Sequence, residues 1–92
     1  MKIHIRKTVH IPEIPSEVEK ESGTLHSLLD SLFRRTYFAK EVIDTRTGEL
    51  SLDGLFQIQL NGTLYHDLPD ELETELHDND VLTLTLILLG GG

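Results

Sequence analysis

The run Val81-Leu82-Thr83-Leu84-Thr85-Leu86-Ile87-Leu88-Leu89 has few structural fates open to it. It carries no charge, mixes leucine with β-branched residues, and is far shorter than the roughly 18 apolar residues of a membrane-spanning helix. Such a run reads as a strand through the middle of a sheet. Successive side chains of a strand alternate in direction. Leu82, Leu84, Leu86 and Leu88 therefore share one face, and Thr83, Thr85, Ile87 and Leu89 share the other. Gly90, Gly91 and Gly92 follow and close the sequence. Two readings of this glycine tail stay open at this point. One is a frayed terminus, since chain ends order poorly. The other is a tail whose α-carboxylate is used chemically.

A chain of 92 residues supports one domain, expected over residues 1–89 with 90–92 as a flexible tail. At this length roughly 60–65% of the unfolded surface is buried on folding. There is no cysteine, which excludes disulfides, thiolate zinc sites and a thiol nucleophile. Neither a basic-then-apolar leader nor a membrane-length apolar run is present, so a cytoplasmic protein is expected. The formal charge of −8 argues against a nucleic-acid partner. It fits an acidic surface that docks on a basic enzyme, or acidity that serves only solubility.

Lys2-Ile3-His4-Ile5-Arg6 alternates polar and apolar and reads as a first strand with Ile3 and Ile5 inward. The alternation can run on through Val9 and Ile11, but Pro12 and Pro15 forbid a regular central strand. Glu17-Val18-Glu19 is a short strand candidate. Gly23 then precedes Thr24, a good N-cap. Leu25, Leu28, Leu29, Leu32 and Phe33 fall on one stripe at helical spacing, with Asp30, Ser31, Arg34 and Arg35 off it. Arg34 and Arg35 are expected in the last turn, where cations favour the dipole. Burial of that stripe is worth on the order of 10 kcal/mol before entropy. Its polar face is not basic, so it is expected to pack on a sheet rather than a membrane.

Residues 37–53 are ambiguous: Val42-Ile43 ends a second short helix or forms a short strand, and Thr45 to Leu50 resembles a turn around Gly48. Leu55 to Leu60 reads as a strand with Phe56, Ile58 and Leu60 inward. Asn61-Gly62 is a strong hairpin signal, and Thr63 to His66 is the return. Leu68 to Leu76 has leucines four apart, Pro69 near its start and early acids, which predicts one or two helical turns. Asp78-Asn79-Asp80 turns the chain into the final strand. Strands at both ends and one long helix suggest an α+β roll in which the first and last strands pair in parallel.

That order resembles the ubiquitin-like β-grasp fold, a mixed sheet of four to five strands with one main helix on one face. Gly23-Thr24-Leu25-His26-Ser27-Leu28-Leu29 looks like the capped helix start of the MoaD/ThiS sulfur carriers. Leu60-Asn61-Gly62, Asp70 through Leu76, and Asp78-Asn79-Asp80 in place of the family's Asp-Gly-Asp turn look like its hairpin and return. The last strand and its glycines complete the pattern, which covers about residues 23–92. Two departures stand out: a third glycine, Gly90, and a segment 37–53 longer than in the short thiamine-pathway carriers. The second favours the small subunit of molybdopterin synthase or a related carrier.

The resemblance implies a chemistry. The Gly92 carboxylate would be adenylated by an E1-like enzyme with ATP and converted to a thiocarboxylate that donates sulfur, in molybdenum cofactor biosynthesis. The carrier is then a substrate or subunit, not a catalyst. Its partners are that adenylating enzyme and a sulfur-accepting enzyme such as the large molybdopterin synthase subunit. Gly91 matters because any β-carbon widens a tail that must thread a narrow channel. Three extended glycines reach roughly 10 Å. The open sheet face beside the tail, with Thr85, Ile87, Leu89 and Gly90, is the implied docking surface. No cofactor is expected: His4, His10, His26, His66 and His77 show no metal-ligand spacing, and no glycine-rich loop stands between a strand and a helix. Two other readings remain, a ubiquitin-like modifier conjugated through Gly92 and a β-grasp interaction module with a passive tail.

Overall fold

The computed structural model describes the chain except residues 9–10, 37–38, 45, 48, 51–55 and 88–92. Its centre is strand β5, Val81–Leu86, whose leucines alternate into the core. Leu82 and Leu84 are fully buried. Leu86, expected to match them, is only half-buried, because it stands at the end of the ladder where the core thins.

Strand β1, Lys2–Lys7, pairs with β5 in parallel, Ile5 opposite Leu82 and Lys7 opposite Leu84. Strand β3, Phe56–Leu60, pairs antiparallel on the other side, from Phe56 opposite Leu86 to Leu60 opposite Leu82. Strand β2, Glu17–Glu19, is the edge beside β1, and the two-residue β4, Thr63–Leu64, is the edge beside β3. The order is β2-β1-β5-β3-β4, a five-stranded mixed sheet with helix α1, Leu25–Phe33, packed on one face. This is the ubiquitin-like β-grasp fold.

Helix α1 starts where the sequence places it. Thr24 accepts from the Ser27 amide, and the Ser27 hydroxyl accepts from the Thr24 amide, a reciprocal capping box. Leu25, Leu28, Leu29, Leu32 and Phe33 are all buried, and Phe33 meets Phe56 with ring centroids 5.2 Å apart. The end differs from expectation. The helix stops at Phe33, so Arg34 is the C-cap and Arg35 lies beyond, not in the last turn. Arg34 instead binds the Asp30 carboxylate one turn back, and that hydrogen bond and charge raise its guanidinium pKa further. Ala39–Val42 forms a short helix α2, and Ile43 then bridges Leu50. Both fates offered for Val42-Ile43 are thus taken by successive residues.

The hairpin turn is as read: Asn61 and Gly62 both have positive φ, 53° and 86°. The return is shorter than expected, since only Thr63 and Leu64 extend. Tyr65–Asp67 and Glu71–Glu73 are 3-10 turns rather than a helix. Pro69 lacks an amide and Glu71 takes φ 46°, so no α-helical run can propagate through them. Leu76 from this segment is buried, while Leu68 and Leu72 are half-buried against the core. Asn79 takes φ 68°, the left-handed conformation that suits the glycine of the Asp-Gly-Asp turn. After β1, Ile11 and Ile14 enter the core without forming a strand. The Lys7 ammonium caps both of their carbonyls.

Candidate functional site

The reacting end expected from the sequence, Gly91 and Gly92, lies outside the described residues, as do Gly90 and Leu89. Their approach is described. Strand β5 reaches Leu86 with hydrogen bonds on both sides. Thr8 secures its last step: the Thr8 amide donates to the Leu84 carbonyl at 3.1 Å, and the Thr8 hydroxyl accepts from the Leu86 amide at 3.1 Å. Two bonds from one residue hold the strand up to the point where Ile87 leaves it. Nothing in the sequence marks Thr8 for this, because the residue lies next to β5 only through a pairing 78 positions apart.

Helix α1 covers the leucine face of β5; on the other, open face the described strand residues are half-buried or exposed. Register assigns its members. Arg6 lies opposite Thr83, Thr83 opposite Gln59, and Gln59 opposite Leu64, one row across four strands. His4 lies opposite Val81 on one side and Glu17 on the other, and Gln57 lies opposite Thr85. Thr85 and Ile87, both singled out from the sequence, are half-buried on this side of the sheet. The structure brings Ile87 together with Gln57, Leu64, Tyr65 and His66 around a groove of about 160 Å³. The Tyr65 and His66 rings meet at its wall in a tilted arrangement, with centroids 3.9 Å apart. The sequence pattern predicts Thr63 to His66 as a return strand. Instead the strand stops at Leu64, and Tyr65 and His66 swing into a turn beside Ile87, which no sequence signal marks.

Charge on the open face differs from the expectation of an acidic docking surface. Among the described strand residues its carboxylates stand on the β2 edge, where Glu17 faces Lys2 at 3.9 Å and His4 at 3.7 Å. From β1 through β5 and β3 to β4 the outward side chains in the described register are Lys2, His4, Arg6, threonines, glutamines and apolar residues. Many of the acids lie elsewhere: Asp70, Glu71, Glu73 and Glu75 follow the turns before Leu76, and Asp78 and Asp80 precede β5. Asp80 is buried and structural, accepting from the Asn61 amide group and the His77 backbone. Among the described residues no three His, Asp or Glu side chains gather to hold a metal ion. Among them, too, no helix is long and apolar enough to cross a membrane.

No protein-family model matches the chain, and no curated protein matches it. Solved structures do. The small archaeal modifier protein 1 from Methanosarcina acetivorans is similar at 25% identity and TM-score 0.69, over 98% of this chain and 96% of that one. The complex of subunits 1 and 2 of molybdopterin-converting factor from Helicobacter pylori contains a chain similar at 24% identity and TM-score 0.53, over 99% and 100% of the two chains. The BexX/CysO complex from Amycolatopsis orientalis contains one similar at 21% identity and TM-score 0.56, over 98% of each. The resemblance to the ubiquitin-like MoaD/ThiS type therefore extends to the whole fold.

Proposed function

We propose that this chain, built on the ubiquitin-like fold of the MoaD/ThiS type, is a carrier whose Gly92 carboxylate is activated by an E1-like adenylating enzyme. The carboxylate attacks the α-phosphate of ATP and pyrophosphate leaves, which gives an acyl-adenylate. A sulfide-level nucleophile supplied by partner proteins then attacks the carbonyl carbon, AMP departs, and the tail ends in a thiocarboxylate. The carrier contributes the reactant and a docking surface, while the acid–base groups belong to the enzyme. A second enzyme takes up the sulfur, and molybdopterin synthesis is the reading favoured for it by the similarity to a molybdopterin-converting factor chain.

The observation that carries this reading is the placement of β5. It is the central strand, held on both sides to its last residue, with an apolar groove at Ile87 on the open side where the chain continues toward Gly90-Gly91-Gly92. A rigid strand delivers the tail at a fixed height above a surface that a partner can grip. Gly91 has a steric role, since a side chain there would widen the tail and restrict its φ and ψ.

The similarity to a modifier protein favours a second reading as well. There the same adenylate is passed on to a lysine amine, and an isopeptide bond to Gly92 forms. Intact-mass analysis after incubation with the E1-like enzyme of the same organism, ATP and a sulfur donor tests the first reading. The expected product has one oxygen of the terminus exchanged for sulfur, and Gly91→Val abolishes it in a folded protein. Normal adenylation of Gly91→Val overturns the threading argument. Isopeptide conjugates on cellular lysines, with no thiocarboxylate, would establish the modifier reading instead.

A further inference from the structure

Asn61-Gly62 carries a chemistry besides its turn geometry. In an asparagine-glycine pair the following backbone nitrogen meets the side-chain carbonyl carbon with least hindrance, because glycine brings no side chain. Both residues are exposed, and a β-carbon built on Gly62 would meet nothing within 4 Å. The fold nevertheless engages both polar atoms of the Asn61 carboxamide. Its Nδ2 donates to Asp80 Oδ1 at 2.9 Å, and its Oδ1 accepts from the Val81 amide at 2.9 Å. The Asn61 amide donates to the Val81 carbonyl at 2.8 Å, so one residue holds both backbone groups of Val81. Asp80 is buried, and its other oxygen accepts from the His77 amide at 2.7 Å. The acceptor that grips the carboxamide is thus itself fixed.

We propose that Asn61 is a site of spontaneous deamidation that the fold holds latent, with Asp80 and Val81 as the latch. When the hairpin opens locally, the Gly62 nitrogen loses its proton to solvent base and attacks Asn61 Cγ. A C–N bond forms, the Cγ–Nδ2 bond breaks, and ammonia leaves with a proton from water. The succinimide ring then takes up water at either carbonyl. It opens to aspartate, or to isoaspartate with the main chain routed through the former side chain. The aspartate product puts a carboxylate where the Nδ2 donor stood, against the Asp80 carboxylate, a contact of like charges. The isoaspartate product adds a main-chain carbon to a tight turn whose positive φ values set the hairpin. Both loosen the entry to β5, so the latch does not re-form after the reaction. Deamidation at Asn61 therefore records how often this end of the central strand opens. The inference stands apart from the role of the glycine tail.

Incubation of the full chain in mildly alkaline buffer, folded or in urea, tests it, with fragment mass spectra following the replacement of amide by acid at Asn61 and Asn79. Folded wild type is expected to convert Asn61 at least about tenfold more slowly than the urea-unfolded chain, a ratio set by the local opening equilibrium. Asp80→Ala, with circular dichroism showing a folded protein, is expected to recover most of that factor. Asp78→Ala removes the nearby acceptor of the Lys2 amide and leaves the Asn61 bonds in place. It is expected to stay within about twofold of wild type, since the latch still sets the opening. Equal rates in folded and unfolded wild type would overturn the inference. So would a folded Asp80→Ala protein no faster than wild type, or an equal acceleration by Asp78→Ala. The product has its own readout, which decides even where Asp80→Ala does not fold. Asn61→Asp is expected to lower the urea midpoint, and Asp80→Asn added to it to restore part of the loss by giving the new carboxylate a donor. An unchanged midpoint for Asn61→Asp, or no recovery in the double variant, would overturn the inference as well.

Discussion

Gly23 holds φ +152°, a conformation that L side chains rarely adopt. A β-carbon there would stand 2.8 Å from the Ser27 hydroxyl and 3.0 Å from Lys20 Cε. The lysine can swing aside. Ser27 cannot, because its hydroxyl accepts from the Thr24 amide and donates to the Thr24 carbonyl. Gly23 also binds through its carbonyl to the Leu76 amide, which ties the helix entry to the segment before β5. Gly23→Ala is therefore expected to disturb the capping box and that tie together and to destabilise the fold by about 1–3 kcal/mol. Urea unfolding measures it, and a change below about 0.5 kcal/mol would show that the entry relaxes without loss. Asn79 is the contrasting case. It also has positive φ, yet asparagine tolerates the left-handed region, so the turn survives without a glycine.

Helix α1 is the element the chain announces most clearly. Its stripe obeys the 3.6-residue period, and all five stripe residues are buried. Leu29 has no exposed surface, so Leu29→Ala is expected to cost about 2–5 kcal/mol, read as a fall in the denaturation midpoint at unchanged slope. A loss under about 1 kcal/mol would mean the core collapses around the gap. The strands were equally legible where alternation is regular, in β1, β3 and β5, and Asn61-Gly62 gave the hairpin. Legibility failed where backbone detail overrides the pattern. The leucine spacing of 68–76 mimics a helix, but Pro69 and the positive φ of Glu71 divide it into 3-10 turns. Ile11 and Ile14 are buried by a loop that Lys7 ties down, and no periodicity signals a single ammonium on two carbonyls. The groove has the same origin. Ile87 was picked out by its position, but Tyr65 and His66 reach it only because β4 ends after two residues.

Across the whole molecule, the first and last strands meet in parallel at the sheet centre, so the fold closes only when its final segment docks. The edges are guarded differently: β2 presents Glu17 and Glu19, and β4 is too short to template another strand. Growth by strand addition is thereby discouraged. Under the proposed carrier role, the same topology would separate stability from chemistry along the last residues. Paired hydrogen bonds of β5 end at Leu86, where Thr8 accepts the last amide. Removal of Gly90, Gly91 and Gly92 takes away none of the described pairs. The truncated protein is expected to unfold within about 0.5 kcal/mol of the full chain, the range of substitutions that touch no packed group. In the E1-like enzyme with ATP it should release no pyrophosphate, although its affinity for that enzyme should persist in part through the groove at Ile87. A truncated protein that still releases pyrophosphate would remove Gly92 from the chemistry. One that unfolds more than about 1 kcal/mol too easily would mean that the glycines pack on the fold, and the tail could not then be free to enter another protein's nucleotide site.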